Sequence, residues 1–584
     1  MAQNRLRRGE TWQLLEQTAK WDVIVIGGGI TGAGILREAA RAGLRALLVE
    51  QRDFAWGTSS RSSKLVHGGL RYLKQGQIGL TYQSVRERQN LLEVGAGLVT
   101  RLGFLMPTYN GEANKLTYQI GLSLYDLMAM RWGNHLYSAT DFAMLVPRIS
   151  DERLDGGLAF EDAQTDDARL VLRVLQEAQN AGGVAINYVQ AEQLLKEDHR
   201  VCGVQVREVA SGQIVALHAH VVINATGAWV DQLRADVGGT ARIRPLRGSH
   251  LIFPGWRFPV AQAISFLHPT DQRPVFVYPW EGVTLVGTTD LDHEHDLNEE
   301  PHISGEEVAY LLAACDHHFP SLSLQVDDIL ATYAGVRPVI NTGKSDPSKE
   351  GRDHVVWLEE GLLSVTGGKL TTFRVIALDA LKTAKTLLPN APIFDTKAPT
   401  IDPVDTALPA AANRLTLFER TRLLGRYGAR AANLIHLAHP DELQPIAGTQ
   451  TLWAELCWAA HAESVVHLDD LLLRRTRLGL VLPHGGLAYI DRIRAMCEPE
   501  LDWDADRWEQ EIARYWELWQ RYYGIPSTEH IPEWRTVHPT VTADQHTSTT
   551  TKWPYAVGIA AAVLALLALW RRMTRPHRLT SPSY

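Results

Sequence analysis

The sequence predicts an α/β fold: a doubly wound domain with an inserted antiparallel-sheet domain, plus a C-terminal all-helical domain and a C-terminal membrane helix. Three observations carry this. Trp21–Ile26 (WDVIVI) is an apolar, β-branched run of strand length that passes directly into the turn GGGITGAG and a helical pattern. From about residue 405 strand signals nearly vanish, and Leu, Ala and Arg recur at helical spacing, as in ANRLTLFERTRLLGRYG and LDDLLLRRTRLGLVL. Between Trp553 and Trp570 runs YAVGIAAAVLALLALW (Tyr555–Trp570), without a charged residue and with tryptophans at both ends.

A chain of 584 residues is too long for one hydrophobic core, so two or three packed units are expected. The net charge of -8 is small for this length, and basic residues are scattered except at the two ends, which argues against a nucleic-acid partner. Cys202, Cys315, Cys457 and Cys497 lie too far apart for a disulfide framework or a short metal-ligand motif, and are expected to be reduced. Arg5, Arg7 and Arg8 resemble the basic start of a signal peptide, but the polar GETWQLLEQTAK that follows is no apolar export segment.

The first element to justify is the dinucleotide turn. Gly27, Gly29 and Gly32 form G-x-G-x-x-G between a predicted strand and helix, and the next apolar run, Arg45–Val49, ends on Glu50. Gly27 makes the turn, Gly29 admits a pyrophosphate to the backbone, and Gly32 lets helix and strand pack closely. The helix N-terminus adds partial positive charge. Glu50 is placed to accept ribose hydroxyls and to repel a 2'-phosphate, which disfavours NADP and leaves FAD and NAD.

Further on, HVVIN leads into Ala225-Thr226-Gly227, and VTLV into Gly287-Thr288-Thr289-Asp290. Strand pairs such as LRGSHLIF and PVFVYPW fill residues 240 to 340 as an inserted antiparallel sheet. The expected partition is an oxidoreductase domain over 20–400, with the cofactor part in 20–75, 150–235 and 330–385 and the substrate part in about 76–150 and 240–330. A helical domain over 405–525, a Pro/Thr/His-rich linker over 526–552, a membrane segment over 553–572 and a basic tail over 573–584 follow.

At ~1.5 Å per helical residue, the apolar run reaches across a bilayer core of ~30 Å only with its flanks included. Lys552, Arg571 and Arg572 are placed to snorkel. Arg571, Arg572, Arg575 and Arg578 would by charge keep the tail cytoplasmic and the body outside, yet a large body without an export signal does not cross easily. The expectation is a C-terminal anchor at the cell membrane with the catalytic body on the cytoplasmic side, or a helix lying partly in the interface.

The stretch TSSRSSKLVHGGLRYL (Thr58–Leu73) supplies hydroxyls, then glycines, then cations, the materials for holding a phosphate chain and an anionic substrate beside a flat ring. SSKLVHGGLRYL, with GTTD, YAGVRP and GGKLTTFR downstream and LDDLLLRRTRLGL in the helical part, resembles the FAD-dependent glycerol-3-phosphate dehydrogenase family of the aerobic, quinone-linked type. That family is a branch of the flavoproteins that includes amino-acid oxidases, and the resemblance spans roughly residues 20 to 525.

The resemblance implies an extended FAD with its pyrophosphate at Gly27, Gly28, Gly29, Ile30, Thr31 and Gly32 and its ribose at Glu50. Thr58, Ser59 and Ser62 would line the phosphates and flavin, and Ala225, Thr226 and Gly227 would pass the adenine half. Gly335, Gly367, Gly368, Lys369, Leu370 and Thr371 would sit at the flavin ring. The implied reaction is oxidation of sn-glycerol 3-phosphate to dihydroxyacetone phosphate by hydride transfer to FAD. Arg71, Arg337 and Lys369 are the candidate phosphate cations. Either His67 or His250 is the candidate base, the other being free to bond the substrate. Lys369 is also a candidate for stabilising the reduced flavin. A membrane quinone is the expected electron acceptor. The alternatives are an oxidase using oxygen and a non-catalytic membrane-tethered FAD-binding module. A homodimer contact is one role open to the helical domain.

Overall fold

In the computed structural model, the described residues are 8–69, 78–110, 133–343, 353–389, 392–404 and 407–535, together with Leu122, Met128 and Glu350. The strands Trp21–Ile26 and Ala46–Val49 are buried along their whole length, as expected of a parallel sheet covered on both faces. They pair in parallel with each other, and Trp21–Ile26 pairs on its other side with Ile214–Asn224. Leu362–Gly367 and Val184–Ile186 extend the parallel array, and His354–Glu359 closes one edge antiparallel. The helices Ile30–Arg41, Asp167–Asn180 and Phe373–Ala384 cover one face with a single apolar cluster that includes Ile35, Leu36, Val171, Val174, Phe373 and Ala377. A meander of Val189–Glu197 and Arg200–Glu208 with the helix Arg8–Gln17 covers the other.

The second sheet has ten strands. Its path runs Leu291–Asp292, Ile243–Pro254, Val283–Gly287, Pro274–Trp280, Ala263–Leu267, Val99–Tyr109, Leu154–Thr165 and Leu65–Val66. Ala331–Ile340 pairs along the other edge of Ile243–Pro254, and His135–Tyr137 adds to Leu154–Thr165. Every pairing is antiparallel except that of Ala263–Leu267 with Val99–Tyr109. Leu65–Val66, Leu154–Thr165 and Ala331–Ile340 thus join this sheet although the sequence partition put residues 20–75, 150–235 and 330–385 with the cofactor part. The reason is physical: local alternation marks a strand, but which edge it joins is set by long-range hydrogen bonds.

The helical region has a small core of its own, with Leu423, Tyr427, Leu434, Ile435 and Trp458 buried together, and also shares a larger one with the second sheet. Trp453, Leu471, Leu472, Trp508, Tyr515 and Trp519 pack in one cluster with Phe104, Phe160, Tyr278, Trp280 and Tyr333 of the second sheet. The described residues, through Arg535, belong to one compact unit. Buried ion pairs tie this region to the cofactor side. Arg474 and Arg475 of the π-helical turn Asp470–Arg475 both reach Asp53, just past Glu50, at 2.5 and 2.6 Å. Burial pushes the Asp53 carboxyl up, but Arg475 and Arg474 outweigh it and hold it below the usual range. Among the described residues no helix is long and apolar enough to cross a membrane, and the expected membrane segment 553–572 lies outside them, as do the tail and most of the linker.

Asp53→Ala removes the carboxylate partner of the buried Arg475 and one of three carboxylates around Arg474, so it is expected to destabilise the protein by about 3–5 kcal/mol in urea unfolding. A loss of under about 0.5 kcal/mol, the scale of a surface substitution, would refute the clasp.

Candidate active site

The glycine turn sits where the parallel strands end, the usual crevice for a dinucleotide in such a sheet. Gly27 has φ of 115°, and a Cβ there would lie 2.6 Å from the Ala225 carbonyl oxygen. A Cβ on Gly32 would overlap the Gly27 carbonyl oxygen, so strand, turn and helix close on one another only with hydrogen at both positions. Gly29 is the N-cap of the helix Ile30–Arg41 and, as a glycine, offers no capping side chain of its own. Ser59 Oγ accepts from the Ile30 N–H at 3.0 Å, which puts its hydroxyl at the helix N-terminus. Glu50 is half-buried and accepts from the Gly28 N–H at 2.6 Å and the Arg52 N–H at 2.8 Å. Burial pushes its carboxyl up and those two N–H groups pull it back. A glycine-lined turn at a helix N-terminus, and a half-buried acid beyond the next strand, fit the pyrophosphate and ribose of a dinucleotide.

Ala225, Thr226 and Gly227 follow the strand Ile214–Asn224, and Ala225 N–H bonds the Ile26 carbonyl at 2.9 Å beside Gly27. Thr366 Oγ1 donates to the Gly227 carbonyl at 3.1 Å, joining this turn to Gly367 and Gly368. Both of those glycines are left-handed, with φ of 78° and 75°, and lead into the turn Leu370–Thr372 at the head of Phe373–Ala384. Lys369 Nζ donates to Ser84 Oγ at 2.6 Å. Thr371 Oγ1 donates to the His67 carbonyl at 3.3 Å, so the structure brings the two glycine-rich motifs together.

The hydroxyl turn is stitched to the second sheet. Thr58 Oγ1 donates to the Val336 carbonyl at 2.5 Å, and Tyr333 Oη to the Ser62 carbonyl at 3.0 Å. A Cβ on Gly335 would lie 2.6 Å from the Arg61 carbonyl oxygen, so the strand Ala331–Ile340 passes the turn only because that residue is glycine. Ser62 Oγ donates to Asp167 at 2.7 Å, which commits that hydroxyl to the protein.

His250 lies one strand away, buried, with its ring stacked on Tyr333 at a centroid distance of 4.6 Å and an interplanar angle of 8°. Its Nε2 bonds Ser63 Oγ at 2.9 Å, and its Nδ1 is buried without a hydrogen-bond partner among the described residues. Burial, and then the charges of Arg337 and Lys64, hold this imidazole well below the usual histidine range. A Cβ on Gly287 would overlap the His250 ring. One on Gly248 would overlap the Arg337 guanidinium, whose Nη1 pairs with Asp290 at 2.8 Å and whose Nη2 donates to Thr288 Oγ1 at 3.0 Å.

Of the residues expected from sequence, His250, Arg337 and the Ser59 and Ser62 turn converge, while Lys369 bonds Ser84 and its neighbour Thr371 bonds the His67 carbonyl. Arg71 lies outside the described residues. Sequence reasoning missed Ser63, Lys64, Tyr333, Thr288, Asp290, Gly248 and Gly287. The motifs GTTD and YAGVRP contained four of them, but which residue met which required the sheet register that sets His250 against both Gly287 and Tyr333.

Fold and site together define a dinucleotide-dependent oxidoreductase. Residues 22–374 match the FAD dependent oxidoreductase family and residues 407–508 the C-terminal domain of alpha-glycerophosphate oxidase. The chain is 35% identical over 531 residues to the glycerol-3-phosphate dehydrogenase of Mycobacterium leprae, a match covering 87% of this chain and 89% of that one. The aerobic glycerol-3-phosphate dehydrogenase of Staphylococcus saprophyticus is 35% identical over 78% of this chain and 86% of its own. The solved structure of the glycerol-3-phosphate dehydrogenase from Bacillus halodurans, complexed with FAD, aligns with a TM-score of 0.72 at 26% identity, covering 88% of this chain and 98% of that one. The chain belongs to the FAD-dependent glycerol-3-phosphate dehydrogenase and oxidase family, and its cofactor is FAD.

Gly32→Ala is expected to abolish bound FAD, read as the ratio of visible flavin to protein absorbance. Gly79→Ala, where a Cβ meets nothing within 4 Å, is the matched control and retains it.

Proposed function

We propose that this protein oxidises sn-glycerol 3-phosphate to dihydroxyacetone phosphate and passes the electrons to a membrane quinone. The observation that carries the reading is the buried His250, with its open Nδ1, beside the Arg337 guanidinium and against the flavin-side turn. The names and lengths of the matching relatives supply the substrate.

FAD, when bound, supplies the acceptor for the hydride leaving C2. The chain's own residues do the rest. A secondary alcohol becomes a ketone only if its hydroxyl proton has somewhere to go, and a neutral imidazole with a free lone pair takes it. Ser63 sets the tautomer: where its Oγ accepts from Nε2–H, the lone pair is on Nδ1. Arg337, aimed by Asp290 and Thr288 and about a quarter exposed, offers a fixed fork to the substrate phosphate. Lys369 and Arg71 are the further cations by family resemblance. Of the two candidate histidines we assign the base to His250, because burial and neighbouring cations keep it neutral and its Nδ1 is open; His67 is left to bond substrate.

The quinone assignment is supported by the uncharged Tyr555–Trp570 run, which would hold the body at the cell membrane, on its cytoplasmic side, within reach of a lipid-soluble acceptor. A second reading, an oxidase delivering electrons to oxygen, is favoured by the match of residues 407–508 to an oxidase C-terminal domain.

Anaerobic sn-glycerol 3-phosphate is expected to bleach the flavin while glycerol and D-alanine do not; a flavin untouched by all three would sink the reading. His250→Asn should slow bleaching ~10²–10⁴-fold with FAD retained. Re-oxidation of the bleached enzyme separates the acceptors, by quinol formation in one case and hydrogen peroxide in the other.

A further inference from the structure

Lys64 is a fully buried ammonium in the turn that carries the flavin-side hydroxyls. Its Nζ donates to the Ser60 carbonyl at 2.6 Å and to the two Asp167 oxygens at 3.0 and 3.1 Å. It also lies 4.6 Å from the Tyr333 ring centroid and 5.5 Å from that of Trp280. Its backbone is left-handed, φ 57°, a conformation a side-chain-bearing residue holds only when its surroundings impose it. Ser63, the preceding residue, bonds His250, and Tyr333, the aromatic partner of Lys64, is the ring on which His250 stacks. The ammonium is thus linked to His250 by two routes, each through a single residue. A methionine of similar volume would fill the same space without the desolvation cost of a buried charge, so packing alone gives no reason for a lysine here.

We propose that Lys64 is a positioning residue for the proton-accepting step: clamped to Ser60 and Asp167 and lying on Tyr333, its ammonium holds the turn and ring that fix His250 against Tyr333 and Ser63, ready to take the C2 hydroxyl proton. This rests on the reading of His250 as the base given above.

The charges around the pair come from every element that packs on it. The helix Asp167–Asn180 and its N-cap contribute Asp167 and Asp166, the helical region Arg477, and the second sheet Tyr278, Tyr333 and Arg337 with its partner Asp290. Asp167 does not cancel Lys64 alone, since Ser62 and Arg477 share its oxygens. Burial lowers the Lys64 ammonium to about 8, with Asp167 opposing and Arg477 reinforcing the shift. Below that value Lys64 is charged, and a cation beside an imidazole favours its neutral form. Removing the charge therefore raises the point at which His250 takes up a proton, and the acid limb of the reaction moves to higher pH. Above that value Lys64 loses its charge, but His250 is already neutral there, so the pair produces no alkaline limb.

The test compares the holoenzyme with Lys64→Met, Lys64→Gln and Lys64→Arg. The readouts are flavin content, the anaerobic rate of flavin bleaching by glycerol 3-phosphate across pH, and ¹⁵N-imidazole spectra in which His250 is identified by its loss in His250→Asn. Lys64→Met leaves Asp167 paired with Arg477. The two uncharged variants should shift the acid limb and the His250 titration upward by about one pH unit, and Lys64→Arg should restore both. Profiles that are scaled in rate but not shifted overturn the proposal. So does a wild-type His250 that titrates near the ordinary value of about 6.5, a measurement that decides even if the uncharged variants fail to bind flavin. Failure of the underlying reading looks different: the wild-type flavin would not bleach with glycerol 3-phosphate at any pH.

Discussion

Two adjacent carboxylates, Asp166 and Asp167, are the point on which the three parts of this molecule depend. Asp166 caps the helix Asp167–Asn180 and receives Arg426 and Arg477 from the helical region, while Asp167 receives Ser62, Lys64 and Arg477. Both are fully or almost fully buried. A buried carboxylate is tolerable only when paired and bonded, and here the partners come from the cofactor-side turn and from the C-terminal helices at once. Arg477 and Arg426 overcome the burial penalty and hold Asp166 well below the usual carboxylate range. The helical region is therefore part of the site's support and not only a cover for the second sheet.

That support matters because the site is assembled between layers. The parallel sheet supplies the glycine turn and Glu50, and the inserted sheet supplies His250, Tyr333 and Arg337. The turn Thr58–Lys64 has to fit both. Glycine at 248, 287 and 335 is what lets the layers approach, since a Cβ at each would meet Arg337, His250 or the Arg61 backbone. The glycines act by leaving room, and the side chains that fill the room are the ones with chemistry.

The cofactor half was legible in the sequence because its determinants are local. Strand, G-x-G-x-x-G and the closing acid lie within one βαβ unit, and the crevice at Gly27, Gly32 and Glu50 has the geometry that spacing implies. The substrate half was legible only as motifs. Nothing near Lys64 in the chain says that its ammonium lies on Tyr333, because the two are brought together by the pairing of Ile243–Pro254 with Ala331–Ile340 and by Asp167 from a third element. That the helical region also packs on the second sheet was not legible for a similar reason: spacing reports an apolar face but not the neighbour that covers it.

The sequence by itself determined the class of each element, the FAD turn and the set of candidate cations and histidines, because periodicity and glycine spacing are properties of neighbouring residues. Tertiary structure alone decided which strands joined which sheet, which of the seryl hydroxyls were committed to the protein, and that His250 is enclosed with cations around it. Proton affinity and strand partnership are set by what surrounds a group in space, and long-range packing is what places those surroundings.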